Sequence, residues 1–208
     1  IEYDAINPIQ LKPTLESMHI NNLFFAGQIN GTSGYEEAAG QGIVAGINAV
    51  LKLQGKQPFI LRRDEAYIGV MIDDLVTKGT QEPYRLLTSR SEYRLLLRHD
   101  NADQRLTPYG RELGVVKDDQ YNALTDKLSK MEIIEENLKA TTFTGSDLVN
   151  QLLEKEGFKT LNERISAIEL LKRPRITVEN LKPYLDFDYD LELAKLVEIE
   201  IKYSGYIV

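Results

Sequence analysis

Between Asn22 and Leu51 the chain runs NLFFAGQINGTSGYEEAAGQGIVAGINAVL, passing from an apolar run through a glycine-rich turn into a helical pattern. Leu23, Phe24, Phe25 and Ala26 predict a short buried strand that ends at Gly27. The helix opens near Gly34 and carries Ala38, Ala39, Ile43, Ala45, Ile47 and Val50. Gly and Pro breakers in Gln54 to Asp64 end it, and the domain boundary is placed there, giving residues 1–61 and 62–208. Beyond that point the pattern is mainly helical: Ala66 to Thr77, Ser89 to Arg98, Thr107 to Leu113, Asp118 to Leu138, Gly145 to Glu156, Leu161 to Leu171, Thr177 to Pro183 and Asp190 to Tyr206. Thr107 and Pro108 read as a cap followed by proline at the first helical position. Asp118 to Leu138 carries Tyr121, Leu124, Leu128, Met131, Ile134, Glu135 and Leu138, an amphipathic helix whose apolar stripe predicts core rather than a partner surface. The chain opens on an extended-looking stretch, Ile1 to Ile6, and has no internal repeat.

Composition narrows the class. With 42% apolar and 27% charged residues in 208, the chain is ordinary for a globular protein of one or two domains. No apolar run approaches the ~20 residues that span a bilayer, and no signal-peptide layout occurs, so a cytoplasmic, membrane-free protein is expected. The absence of cysteine excludes disulfides, thiolate nucleophiles and Cys-ligated metals from these residues. His19 and His99 lack ligand-like spacing, and no metal site is expected.

The turn and helix start suit an electron-rich oxygen. Backbone amides and the positive end of the helix dipole favour a phosphate, or the carbonyl that gains charge when a flavin is reduced. Gln28, just after the glycine, is placed to reach a ribityl or phosphate oxygen. Glu36 and Glu37 fall in the first helical turn, where two readings stand: capping the dipole, or shaping a pocket. Tyr35 either covers a ligand face or packs on neighbouring backbone. Asp73 and Asp74 are adjacent and so point to different sides, which favours a cap or an arginine partner over a metal or acid/base pair.

The net charge of −7 hides a local reversal. Residues 85–111 hold six arginines (85, 90, 94, 98, 105 and 111) against Glu92, Asp100 and Asp103; that window is +3 and leaves −10 for the rest. Arginine's planar fork matches phosphate oxygens in pairs and stacks on bases. In SRSEYRLLLR, Arg90, Arg94 and Arg98 recur every fourth residue, one stripe on a helix. Either an RNA backbone lies across that stripe and releases counterions, or nearby carboxylates pair with it inside the molecule. The basic run KRPRIT, Lys172 to Thr177, likewise reads as a solvated helix end or as an RNA contact.

GQINGTSGYEEAAGQG resembles the closing FAD motif of the GidA/MnmG family of tRNA wobble-uridine modification flavoproteins. KPTLES (Lys12 to Ser17), AYIGVMIDDLVTKGTQEPYRLLTSRSEYRLLLRHDNADQRLT (Ala66 to Thr107) and KYSGYI (Lys202 to Ile207) are similar to the same family in the same order. The resemblance is most specific over the first 115 or so residues. The folate-dependent tRNA uridine methyltransferases have a related turn and are the runner-up. The resemblance implies a mainly α chain: the strand-turn-helix tail of a two-dinucleotide-domain, Rossmann-like FAD domain, followed by an α-helical domain. It further implies FAD as cofactor, NADH as reductant, tRNA as substrate and a GTPase partner of the MnmE type. The group added is carboxymethylaminomethyl or aminomethyl, at position 5 of the wobble uridine, by a homodimer that forms a heterotetramer with its partner. Within this chain, Gln28, Asn30, Gly34, Tyr35 and Glu36 are the implied FAD contacts, and Arg85, Arg90, Arg94, Arg98 and Arg105 the implied tRNA contacts. No GxGxxG pyrophosphate loop occurs in the 208 residues, and the family's catalytic cysteines lie in an N-terminal part. The expectation is a fragment that also stops short of the family's final helical bundle, with no catalytic residue of its own. The alternative is a noncatalytic RNA-binding or dimerisation module.

Overall fold

The structure, a computed structural model, describes residues 4–145 and 148–206. The chain is mainly helical and divides into two compact units, Ile1–Val116 and Lys117–Val208. The boundary expected at 61–62 therefore does not separate compact bodies. In the first unit α1 (Tyr35–Leu53) packs on α2 (Tyr67–Lys78), and Asn48 of α1 clamps the intervening connection. Its side chain donates to the Phe59 carbonyl and accepts from the Phe59 N–H, both at 2.8 Å.

The core of the first unit joins Leu11, Leu15, Val44, Met71, Ile72, Leu75 and Tyr84. Helix α1 starts where the sequence places it, with Gly34 as N-cap, but its inward face is not the apolar set expected. Glu37, Gly40, Gln41, Val44, Ala45 and Asn48 are buried, while Ile43, Val50 and Leu53 stand exposed. A helix apolar nearly all round has no single stripe, and here buried polar partners choose the face.

The buried strand expected at Leu23–Ala26 is reduced to a short antiparallel pairing. Glu16 and Phe24 form one bridge, Ser17 N–H donates to the Leu23 carbonyl and Phe25 N–H to that of Leu15. Leu23 and Ala26 are exposed, because no further strand covers them among the described residues. Of the extended opening, Ile1–Tyr3 lie outside the described residues.

The helix expected over Ser89–Arg98 is absent. A 3-10 turn at Thr88–Arg90 and a series of turns replace it. Helix α3 (Ala102–Glu112) begins five residues before the expected Thr107 cap and carries Pro108 inside it. That proline forfeits one helical hydrogen bond. In the same helix Arg105 donates to Asn101 Oδ1 at 3.0 Å and to the Arg98 carbonyl at 3.1 Å, tying the helix to the turn before it.

The second unit is a helical cluster. Helix α4 (Asp118–Ala140) buries Leu124, Met131, Ile134 and Leu138 of its expected stripe, while Leu128 stands exposed and Tyr121 is half-buried, and it packs on α8 (Leu191–Tyr203). Between them lie β1 (Thr142–Phe143), α5 (Val149–Lys155), β2 (Ile165–Ser166), α6 (Ala167–Leu171) and α7 (Val178–Leu181). The strands pair antiparallel, Thr142 with Ser166 and Phe143 with Ile165, so the single helix expected over 161–171 splits into strand and helix. Thr177 and Asn180 form a reciprocal capping box on α7, and Asp190 caps α8. Ser146 and Asp147, within the helix expected from Gly145, and Ile207, at the end of KYSGYI, lie outside the described residues.

Candidate functional site

The glycine-rich turn is built around one buried amide. Gln41, fully buried on α1, accepts the Gly27 N–H at 3.0 Å and the Asn30 side-chain amide at 2.8 Å. Its own amide donates to Thr32 Oγ1 at 3.0 Å and to the Glu37 carbonyl at 3.1 Å. Gly27 (φ 90°) and Gly31 (φ 82°) bracket a 3-10 turn over Gln28–Asn30, in backbone regions that side chains avoid. Gln28 and Glu36 are exposed, and their side chains make no hydrogen bond or ion pair among the described residues. Tyr35 is 94% exposed, so it does not pack on neighbouring backbone. Asn30 is fully buried, and its Oδ1 has no donor among the described residues.

Gly34 caps α1 without a side-chain hydrogen bond, which leaves the amides of the first turn for another partner. A Cβ on Gly34 would meet Glu37 Oε2, since the Glu37 carboxylate folds back over the helix start. Glu37 is 6% exposed, and its Oε1 accepts the Leu86 N–H at 2.9 Å. A carboxylate there disfavours a second formal anion and suits hydroxyl and amide donors.

The arginine-rich segment is joined to this turn. Thr32 and Tyr84 form a parallel bridge, with Tyr84 N–H donating to the Gly31 carbonyl at 2.7 Å and Ser33 N–H to that of Tyr84 at 3.1 Å. The arginines fall into three groups. Arg98 pairs with Asp100 at 3.0 Å, and Arg105 is spent on Asn101 and on the carbonyls of Arg98 and Glu65. Burial beside Arg98 pushes the Arg105 guanidinium below its usual range. Both guanidiniums are engaged inside the molecule, and the stripe expected of Arg90, Arg94 and Arg98 does not form, because without a helix over 89–98 fourfold spacing no longer aligns them. Arg90 is intermediate; its guanidinium lies 4.6 Å from the Tyr84 ring centre and donates to the Arg85 carbonyl. Arg85 and Arg94 are exposed and make no hydrogen bond or ion pair among the described residues.

Arg63, which sequence reasoning left in the connection, organises the segment. It holds Glu92 with two hydrogen bonds (2.8 and 2.9 Å), Asp73 at 3.0 Å and Asp74 at 2.9 Å, and donates to the Arg90 carbonyl. Glu92 is held at a pKa of about 2, chiefly by Arg63. Asp74 also accepts from Lys78 and from the Tyr84 hydroxyl, and its pKa lies below the usual range because these bonds outweigh desolvation. Burial and Asp74 push the Tyr84 phenol up. Asp73 and Asp74 are thus arginine partners, and no metal-holding cluster occurs among the described residues. Arg63 carries no local sequence signal because its partners lie 7 to 29 residues away. A hollow of 810 Å³ lined by Ile47, Val50, Phe59, Tyr109 and Leu113 contains none of the predicted site residues.

In the second unit, Arg173 and Arg175 both stack on Phe158, at 5.4 and 5.3 Å, while Lys172 pairs with Glu169. Among the described residues no helix is long and apolar enough to cross a membrane.

Residues 1–57 match the family described as glucose inhibited division protein A, and residues 118–208 match the tRNA modifying enzyme MnmG/GidA C-terminal helical domain. The tRNA uridine 5-carboxymethylaminomethyl modification enzyme MnmG of Acholeplasma laidlawii is 55% identical over 207 residues, covering all of this chain and 34% of the relative. The enzyme of the same name from Lacticaseibacillus paracasei is 56% identical over 209 residues, 33% of its length. Aquifex aeolicus GidA, in its form II crystal, superposes with a TM-score of 0.84 at 44% identity, over 98% of this chain and 32% of that one. The chain spans about a third of the length of these relatives.

Proposed function

From the premise that the chain belongs to the GidA/MnmG family, we propose that it is part of a cytoplasmic FAD- and NADH-dependent tRNA-modifying enzyme. With a GTPase of the MnmE type, that enzyme adds a carboxymethylaminomethyl or aminomethyl group at position 5 of the wobble uridine, acting as a homodimer within a heterotetramer.

The observation that carries the reading is the Gly27–Glu37 turn, whose residues fit the flavin end of the cofactor. Gln28 and Glu36 are exposed with unspent polar groups, the start of α1 lacks a side-chain cap, and Asn30 Oδ1 is an acceptor without a donor. The Glu37 carboxylate at that helix start disfavours a pyrophosphate and leaves a hydroxyl-rich ribityl chain or a ring carbonyl as the suitable guest. When bound, FAD supplies the redox chemistry, and the protein supplies binding and orientation. Gln28, Gly34 and Glu36 line the flavin; Asn30 shapes the turn from inside; Tyr35 projects from it. Arg85 and Arg94 hold the phosphates of the anticodon region, where unstacked bases are accessible.

The test is flavin binding. The 208-residue chain alone is expected to hold FAD poorly, because it carries no pyrophosphate loop, whereas a protein extended to the relatives' full length holds it, and Gln28→Ala in that protein weakens it. Stoichiometric flavin copurifying with the 208 residues, or unchanged affinity in the variant, contradicts this assignment of the turn.

A further inference from the structure

Arg85, which like Arg94 makes no side-chain hydrogen bond or ion pair among the described residues, lies between two residues that the flavin-facing turn holds by hydrogen bonds. On one side, Tyr84 exchanges backbone bonds with Gly31 (2.7 Å) and Ser33 (3.1 Å). On the other, the Leu86 N–H donates to Glu37 Oε1 at 2.9 Å. Glu37 is nearly buried, sits in the first turn of α1 and lies over Gly34, where the helix begins. One carboxylate therefore touches both the helix start that faces the flavin and the backbone that carries the phosphate-binding arginine. The bond to Leu86 is a charge-assisted one with little water to compete for it, the kind that transmits displacement rather than absorbing it.

We propose that Glu37 is a positioning residue that couples the two ligands, so that occupancy of the flavin turn sets the posture of Arg85 and hence the affinity for anticodon RNA. The inference rests on the flavin and RNA readings above. Coupling between two sites is reciprocal, so the same factor must appear whichever ligand is varied.

The test uses protein of the relatives' full length and an anticodon stem-loop RNA with uridine at the wobble position. RNA affinity is measured with FAD bound and after FAD is stripped, in wild type, Glu37→Ala, Glu37→Gln and Leu86→Pro. Wild type is expected to show an affinity ratio of about 5-fold or more, within the usual range for coupled sites. Glu37→Ala and Leu86→Pro, which remove the same hydrogen bond from opposite ends, bring the ratio close to one; Leu86→Pro does so while leaving the Glu37 carboxylate in place. Glu37→Gln keeps a carbonyl acceptor and retains most of the ratio. A residue needed only for folding would lower the thermal midpoint and both affinities while leaving the ratio intact. That pattern overturns the proposal, as does a wild-type ratio of one with both ligands bound. Wild type that binds only one of the two ligands removes the underlying reading instead, and the inference with it.

Discussion

Glu16 is almost wholly buried and still ionised, because Lys52, the Asn22 N–H and Lys12 hold its pKa at about 2, far below the ordinary 4.5. A carboxylate depressed in the folded state contributes stability that is fully present above the unfolded pKa and is lost as pH falls through the folded one. Stability of the first unit is therefore expected to fall between about pH 4.5 and about pH 2 through this group. Glu16→Gln, which removes the titration and two ion pairs, should lower the thermal midpoint at neutral pH and flatten the decline through that window. Thermal unfolding at a series of pH values checks this. A decline as steep in the variant as in wild type shows that other carboxylates govern acid stability. The same kind of local accounting sorts the arginines. Arg98 and Arg105 are bound to backbone carbonyls and an acidic neighbour, so losing either costs fold rather than ligand, whereas Arg85 and Arg94 are unspent.

The segment from Tyr84 to Arg98 shows why elements held by distant partners elude sequence reading. Its fourfold arginine spacing is a helical signal, yet Arg63, 29 residues before Glu92, fixes Glu92 and the Arg90 carbonyl in a turn. Helices α1, α2, α4 and α8 were legible because periodicity, N-caps and breakers are local in the chain. The glycine turn was legible as a turn that opens into a helix because its glycines and first-turn carboxylates lie close together in sequence. Its internal organiser was not: Gln41 works by reaching back 14 residues to Gly27, and nothing in its own neighbourhood marks it. The same reasoning predicts the outcome of Arg63→Met. Freed of its anchor, residues 84–98 should exchange amide hydrogen faster while α1 stays protected, a pattern readable by hydrogen–deuterium exchange. RNA affinity should fall at the same time, because Arg85 and Arg94 then have to be ordered on binding. Arg85→Ala with Arg94→Ala should instead leave exchange unchanged and reduce the slope of log affinity against log salt by about one for each phosphate no longer neutralised. Equal salt slopes in that double variant and wild type place the RNA elsewhere.

At the scale of the whole molecule, the two compact units draw on separate cores. That of the second unit runs through Met131, Ile134, Leu138, Leu153, Leu170, Leu171, Val178, Ala194 and Val197, all of them its own residues. Its polar groups are also satisfied internally: the Val178 N–H donates to Glu198 at 2.7 Å, Lys202 pairs with Glu198 at 2.6 Å, and capping boxes or side-chain caps close α7 and α8. Gln54–Asp64 looked like the boundary in sequence because Gly and Pro interrupt there, but Asn48 stitches that stretch back onto α1 and its breakers mark only a bend. The division falls instead before Lys117, where the long helix α4 begins. A chain of residues 117–208 should accordingly fold alone, melting in one cooperative transition with an enthalpy near ~60 kcal/mol, the value usual for a domain of this size. Leu170→Ala, at a site with no exposed surface, should cost that domain about 2–5 kcal/mol. In the 208-residue chain the same variant should leave amide protection in α1 and α2 unchanged. Loss of protection there would mean that the first unit depends on the second for its stability. A 117–208 chain that melts gradually or not at all would mean that the internal core is insufficient by itself.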